Sequence, residues 1–424
     1  MMSARTIGQL SECIAVLTKK LEEEMKGNNI KSPTLGDDNE SFVDLSSVDQ
    51  KAAMELAGLA GELQHLALGP RQSIGMMALS VHDASTLGVV AVFDIPRLVP
   101  LQGSATFAEL STKCGMDQDR LTRILRYAMI NHVFREEPAG HVRHTAFSAH
   151  MAQNPHFCDF LRTIAMVFNP ANTFLPIAID RYPQTQSIHQ AAHGLARQTD
   201  KTFYGWLHDN PGLRDNFDKG MEGISRGGQR MQDTDLKAYP WDSLPEGAVV
   251  VDMGGSGGHF ARDLAETHVS FSVIVQDLPL VIQSVVKQDS FMQATNVTYQ
   301  EHDLFNEQPV KDADVYFMRH VFHNHPDEEC VKILKALLPA LKAGARILIS
   351  EYMVPPAEEL ENSMGTKAMR QMDLMTMALF NAKERTKAEM VDLFQRASPR
   401  LSFQGTHQIP EDPGSCIFEA VYRL

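Results

Sequence analysis

Apolar side chains recur at three- and four-residue intervals through Ile7, Leu10, Ile14, Leu17 and Leu21, which predicts an amphipathic helix over residues 6–25. The pattern stops at "KGNNIKSPTLGDDNESFVDLSSVD" (26–49), whose Asn, Ser, Asp, Gly and Pro give linker composition. A second helix is expected over about 49–67, ahead of Gly69-Pro70, and a long apolar helix runs through "SIGMMALSVHDASTLGVVAVF" to stop near Pro96. Residues 106–134 read as helix, turn at Gly115, helix, and residues 134–145 as strand, Pro-Ala-Gly turn, strand. That order is a winged-helix outline. Residues 156–240 are helical and aromatic-rich, broken at Gly227-Gly228 and Pro240.

From Ala248 the period changes. "AVVVDMGG" (248–255), "FSVIVQDLP" (271–279), "ADVYFMRHVF" (313–322) and "ARILISEYMV" (345–354) are near-continuous apolar runs separated by helical segments. Such runs mark strands covered on both faces, so a parallel α/β sheet is expected, closed by a last strand at "FEAVYRL" (418–424). The boundaries divide the chain into 1–68, a helical extension with linker, then 69–165, 166–240 and 241–424.

A chain of 424 residues is long enough for two or three domains. Its net charge of −14 argues against broad binding of nucleic-acid phosphates. Arg120, Arg123 and Arg126 on the second winged-helix helix could face DNA, but Asp117 and Asp119 balance them, and no nucleic acid is expected. The five cysteines are scattered without a C-x-x-C pair, which disfavours a disulfide framework or a zinc knuckle and suits a reducing compartment. No signal-peptide core and no unbroken run of 18 apolar residues is seen, so no membrane span and a cytoplasmic location are expected.

Candidate chemistry begins where the first strand of the sheet runs into Asp252-Met-Gly254-Gly255-Ser256-Gly257-Gly258. Glycines there permit a tight turn and close approach of backbone to a ligand. The G-x-G-x-x-G dinucleotide pattern fails because Phe260 stands where its last glycine belongs. A nucleoside without a pyrophosphate suits the loop better. Asp277, ending the second strand, can accept ribose hydroxyls, and "EHDLF" (301–305) puts Asp303 and Leu304 where an adenine would lie. The stretch "RHVFHNHPDEE" (319–329) holds three histidines, His320, His323 and His325. The odd spacing of His320 and His323 at a strand end points them to opposite faces, so no metal centre is expected.

The segments "VVVDMGGSGGHF", "VIVQDLP", "EHDLF", "HNHPDEEC" and "KERT" resemble, in order and spacing, S-adenosylmethionine-dependent O-methyltransferases of the plant caffeate/flavonoid type. They are more similar still to fungal relatives that methylate aromatic polyketides, with the resemblance spanning residues 70–424. It implies a Rossmann-like methyltransferase domain at 241–424 and a mainly helical winged-helix dimerisation domain at 69–165. It also implies a connector at 166–240 lining the substrate site, a homodimer, and S-adenosylmethionine as cofactor. Cofactor contacts are implied for Asp252, Gly254, Gly255, Asp277, Leu278, Asp303, Leu304 and Arg319, the last in place of a family lysine. His323 takes the position of the general base, framed by Glu351 and Glu384, while His320 is expected to be a core or wall residue. Phe217, Met221, Asn324, His325, Asp373 and Met377 fall at substrate-pocket positions, where Asn324 and His325 replace the usual Asp and Trp.

A His–carboxylate set suits transfer of a methyl group to a phenol. The phenol has a pKa of about 10 against about 6.5 for imidazole, and a carboxylate on the second ring nitrogen stabilises the imidazolium. The alternative is a pericyclase or dehydratase on the same fold, with the cofactor non-reactive or absent. A winged-helix regulator is a third reading, and it would leave the His–Glu set idle.

Overall fold

The computed structural model describes residues 5–35, 48–227, 235–286, 296–356, 364–409 and 412–423. These fall into two compact units. The first comprises Met1–Pro170, Leu207–Gly227 and Glu361–Ala368, and the second Ala171–Trp206, Gly228–Leu360 and Met369–Leu424. The division passes through the segment read from sequence as one connector.

In the first unit, helix Ile7–Gly27 opens on a capping box between Thr6 and Gln9. It packs on helix Gln50–Leu79 through Leu21, Met25, Val48 and Ala52. The expected break at Gly69-Pro70 is present: Gly69 leaves helical geometry (φ 70°, ψ 169°), and Pro70 begins a second helical stretch within those bounds. The winged-helix outline is present. Helices Phe107–Cys114 and Gln118–Ile130 are joined at Gly115, whose φ of 70° is the left-handed cap glycine permits. Strands β1 (Ala105–Thr106), β2 (Arg135–Glu136) and β3 (His141–Arg143) pair in the order β1-β3-β2. Val90, Ile95, Leu110, Leu121, Leu125 and Val142 form its core. Arg126 donates two bonds to Glu136, at 2.8 and 2.9 Å, and Arg123 stands 3.8 Å from Asp119, so two of the three arginines already face carboxylates.

Between Gln50 and Val92 an 18-residue window is apolar and long enough, by length and composition, to cross a membrane. The expectation from unbroken apolar runs missed it, because isolated polar residues interrupt a stretch that is apolar on average. Most of that window is exposed, including Ile74, Met76, Met77 and Leu79.

The second unit is the α/β sheet. Its strands are β4 (Val249–Met253), β5 (Ser272–Asp277), β6 (Val297–Glu301), β7 (Val315–Arg319), β8 (Arg346–Val354), β9 (Arg385–Thr386), β10 (Leu401–Ile409) and β11 (Asp412–Tyr422). The order is β10-β11-β8-β7-β4-β5-β6, with β9 beside β8. Strands β6, β5, β4, β7 and β8 pair in parallel, and β11 enters antiparallel between β8 and β10. One face buries Tyr316, Phe322, Leu334 and Phe394; the other buries Trp241, Phe260, Val273 and Phe317. Strand β4 lies between β5 and β7, where the chain order reverses. At such a point the carboxyl ends of the strands leave a crevice for a ligand.

Candidate active site

Strand β4 delivers Asp252, 2% exposed, into the glycine loop. Gly254 and Gly258 take φ of 78° and 69°, and Ser256 follows at 50°. The loop admits no side chain at Gly255, where a Cβ would fall 2.5 Å from Asp252 Oδ2 and 2.9 Å from Val275 Cγ1. Gln276 O accepts from both Gly254 N and Gly255 N, at 2.7 and 3.1 Å, which pins the loop to β5. Asp277 accepts from Ser256 N at 2.9 Å and Leu278 N at 2.7 Å, one bond per carboxylate oxygen, leaving lone pairs for a ligand. Burial pushes the Asp252 carboxyl up to about 7, against the opposing pull of Arg319. Burial also raises Asp277 above the usual carboxylate range. Asp303 Oδ1 accepts from Phe305 N at 3.0 Å, and Leu304 packs against the sheet core beside Gly254. Leu278 is 45% exposed.

A backbone-built cradle with a carboxylate at its rim fits the sugar and amino-acid portions of a nucleoside cofactor. Arg319 ends β7 and forms an ion pair with the buried Asp235, Nε to Oδ2 at 2.8 Å.

After β7 the chain bends sharply. His320 adopts φ 51°, its N–H donates to Ser350 O at 3.0 Å, and a 3-10 turn follows over Phe322–Asn324. This corrects the expectation that His320 and His323 face apart: the alternation of a strand has ended before His320, and the turn brings the two rings to 5.3 Å. His323 Nδ1 stands 2.8 Å from Glu384 Oε1 and 3.7 Å from Glu351 Oε2. Glu351 Oε1 accepts from Phe322 N at 2.7 Å and His323 N at 3.3 Å. Burial alone would lower the His323 imidazole, but the Glu351 and Glu384 carboxylates outweigh it and hold the pKa above its ordinary value. Burial opposes the charge of Glu351 in turn, and His323 and His320 overcome it to hold that carboxyl down. His323 Nε2 has no hydrogen-bond partner among the described residues.

The remaining candidates separate. His325 points to Glu329, Nδ1 to Oε2 at 3.0 Å, with its ring edge-on to Phe305 at 5.4 Å. Asn324 Nδ2 donates to His320 O at 3.0 Å, bracing the turn. Asp373 Oδ1 accepts from Glu384 N at 3.0 Å, so it fixes the backbone that carries the Glu384 carboxylate. Met377 is half-buried one turn further along the same helix, Met364–Phe380. Phe217 and Met221 lie on helix Pro211–Gly227 in the first unit, where Phe217 meets Phe168 edge-on at 6.2 Å.

Sequence reasoning missed three supports. Arg385, 2% exposed, donates to Phe322 O at 2.8 Å, His325 O at 2.7 Å and Asp327 Oδ1 at 2.9 Å, which ties the histidine turn to β9. Its place inside "KERT", next to Glu384, was the available clue. Arg262 donates to Gly257 O at 2.7 Å and to Tyr299 Oη at 3.0 Å, bracing the glycine loop from below. Asp235 holds Arg319 and accepts from Ser350 Oγ at 2.6 Å, but no motif marks it.

Comparison with known proteins follows the same lines. A family profile described as an O-methyltransferase domain matches residues 179–399. A chlorophenol O-methyltransferase of Trichoderma longibrachiatum is 32% identical over 419 residues, covering 97% of this chain and 89% of that one. The grayanic acid biosynthesis cluster O-methyltransferase of Cladonia grayi is 31% identical over 420 residues, covering 98% and 88%. Among solved structures, one described as a pericyclic reaction enzyme matches with a TM-score of 0.76 at 21% identity, over 97% of this chain and 100% of that one. OxaC in complex with SAH and oxaline matches with a TM-score of 0.77 at 22% identity, over 98% and 100%. At those identities the two structures speak to the fold alone.

Proposed function

The chain belongs to the S-adenosylmethionine-dependent O-methyltransferases, and on that premise we propose that it methylates a phenolic hydroxyl of a small, polyketide-like secondary metabolite with His323 as general base. The observation that carries this reading is the 2.8 Å contact of His323 Nδ1 with the buried Glu384 carboxylate. The contact keeps the proton of the neutral ring on Nδ1 and leaves Nε2 as the acceptor, and it stabilises the imidazolium once a proton arrives. Glu351, held by two backbone N–H groups, adds a second negative charge beside the ring. The glycine loop with Asp252, Asp277, Leu278, Asp303, Leu304 and Arg319 would hold the cofactor. When bound, the cofactor supplies a methyl group made electrophilic by its sulfonium. Asn324, His325 and Met377 are the proposed acceptor-side residues of the second unit. The acceptor proton passes to His323 Nε2 as the oxygen becomes nucleophilic.

Incubation with methyl-labelled S-adenosylmethionine and a panel of phenolic polyketides should place label on an aromatic oxygen. Turnover of a polyene or quinone methide without label would favour the pericyclase or dehydratase reading instead.

We also infer a homodimer, formed on the exposed apolar side chains Ile74, Met76, Met77 and Leu79. A solution mass near twice 47.2 kDa is expected, and a monomer at micromolar concentration would remove the inference. Five free cysteines support a cytoplasmic location; export of the native chain to an oxidising compartment would count against it.

A further inference from the structure

Three donor atoms converge beneath the histidine turn. One donor atom from each of His320, His323 and Glu351 lies within 4.8 Å of the other two. Each histidine nitrogen stands 3.7 Å from the same carboxylate oxygen, beyond hydrogen-bond reach. His320 Nδ1 and Glu351 Oε2 are both buried without a hydrogen-bond partner among the described residues. Polar atoms left this way are costly, and each calls for an occupant.

Geometry discriminates between occupants. A water at about 2.8 Å from two atoms that are 3.7 Å apart would subtend roughly 80°, too acute for its hydrogen bonds. An ion bound at about 2.0–2.1 Å from the same atoms subtends roughly 125–135°, which a closure of a few tenths of an ångström brings to the angles zinc accepts. The two histidine donors, at most 4.8 Å apart, must close to about 3.3–3.6 Å to span a tetrahedral or trigonal angle at an ion bound at about 2.0–2.1 Å.

The donors are held in place independently of any ligand. His320 is set by its left-handed backbone and by stacking on Tyr352 at 5.4 Å. The Oε1 atom of Glu351 is occupied by backbone donors, which turns Oε2 toward the histidines. Glu384 Oε1 lies 2.8 Å from His323 Nδ1, so an ion on that nitrogen takes the place of the hydrogen shared with Glu384.

We propose that His320, His323 and Glu351 form a three-ligand site for a borderline divalent ion such as Zn²⁺, with a water as the fourth ligand, that silences the enzyme when filled. Two imidazoles and a carboxylate suit zinc, cobalt or nickel better than magnesium or calcium, which prefer all-oxygen shells. A metal on Nδ1 leaves the hydrogen of a neutral imidazole on Nε2. That nitrogen then donates and no longer accepts, so His323 cannot take the acceptor proton. The silencing half rests on His323 being the base; the binding half does not.

The test uses chelator-stripped full-length enzyme titrated with Zn²⁺ by calorimetry and with Co²⁺ by visible absorption. One ion per chain is expected, with the intense cobalt bands of a four-coordinate centre. His320→Ala should weaken binding by more than the ten- to hundredfold that loss of an outer-shell partner brings, while His325→Ala leaves it unchanged. His320→Asn serves as a second variant, and binding of S-adenosylhomocysteine certifies that each variant is folded. No stoichiometric binding at micromolar metal, or equal affinity in both folded His320 variants, overturns the site. Zn²⁺ should inhibit methyl transfer in the wild type at concentrations that spare His320→Asn. Stoichiometric binding without inhibition would retain the site and refute His323 as the silenced base.

Discussion

The glycine loop and the histidine turn sit at the ends of neighbouring strands, β4 and β7, and are built by opposite means. The loop uses backbone: glycines that tolerate no Cβ, carbonyls and N–H groups, and a single carboxylate at its rim. The turn uses side-chain charge brought from distant segments, with Glu351 from β8, and Glu384 and Arg385 from beyond the helix Met364–Phe380. A site made of backbone is local and fixes binding. A site made of converging charges is assembled only by the fold, and on the proposed reading it governs proton transfer.

That contrast should be visible in kinetics. The largest expected effect is that of His323→Ala, which should lower kcat by about 10²–10⁴-fold with cofactor affinity nearly intact. Glu384→Gln should cost less, roughly ten- to hundredfold in kcat, again without loss of cofactor binding. A collapse of cofactor affinity in either variant would erase the distinction between the two regions. Gly255→Ala should do the converse. Its new Cβ collides with Asp252 and Val275, so cofactor affinity measured by calorimetry should fall about tenfold or more, with kcat at saturating cofactor within a few-fold. A Gly255→Ala enzyme with normal affinity would show that the loop is less tightly closed around its backbone.

The smallest effect concerns what carboxylate partners do for a buried imidazole. His323 has two and is held charged more readily. His193, buried among Phe203 and Trp206 with no partner on either ring nitrogen among the described residues, is pushed by burial from 6.5 down to about 4. Its unfolded form takes up a proton below pH 6.5 and its folded form only below about 4, so stability present above 6.5 is lost as pH falls through that window. The slope it contributes is at most about 1.4 kcal/mol per pH unit. His193→Leu should flatten the dependence of the urea midpoint between those values. An unchanged slope would mean that the ring is hydrated or paired.

The same division explains what could be read from the sequence. The apolar runs at 248–255, 271–279, 313–322 and 345–354 became β4, β5, β7 and β8, because strands buried on both faces carry their own hydrophobic record. Strand β10 (LSFQGTHQI) went unread: it is an edge strand whose polar residues alternate, and its position depends on β11. The glycine loop was legible because glycine itself is the record of a backbone requirement. The pairing of His320 with His323 was not. It depends on a left-handed residue and a 3-10 turn, and period-two reasoning fails where a strand ends. The braces Arg385, Arg262 and Asp235 were invisible for a related reason. Each gains its meaning from a partner far away in the chain, 63, 37 and 115 positions respectively for Phe322, Tyr299 and Ser350.

The φ of 51° at His320 carries one more consequence. An L-residue with a side chain of this size in the left-handed region gives up roughly 1 kcal/mol that glycine would keep, and asparagine part of it. The residue that turns the chain most easily here is therefore not the one present. Any selection or redesign for thermal tolerance alone would drift toward glycine or asparagine at 320, trading the second imidazole for robustness. Position 320 is thus a place where backbone ease competes with the proposed metal site, and a heat-stabilised variant of this enzyme should be sequenced there first.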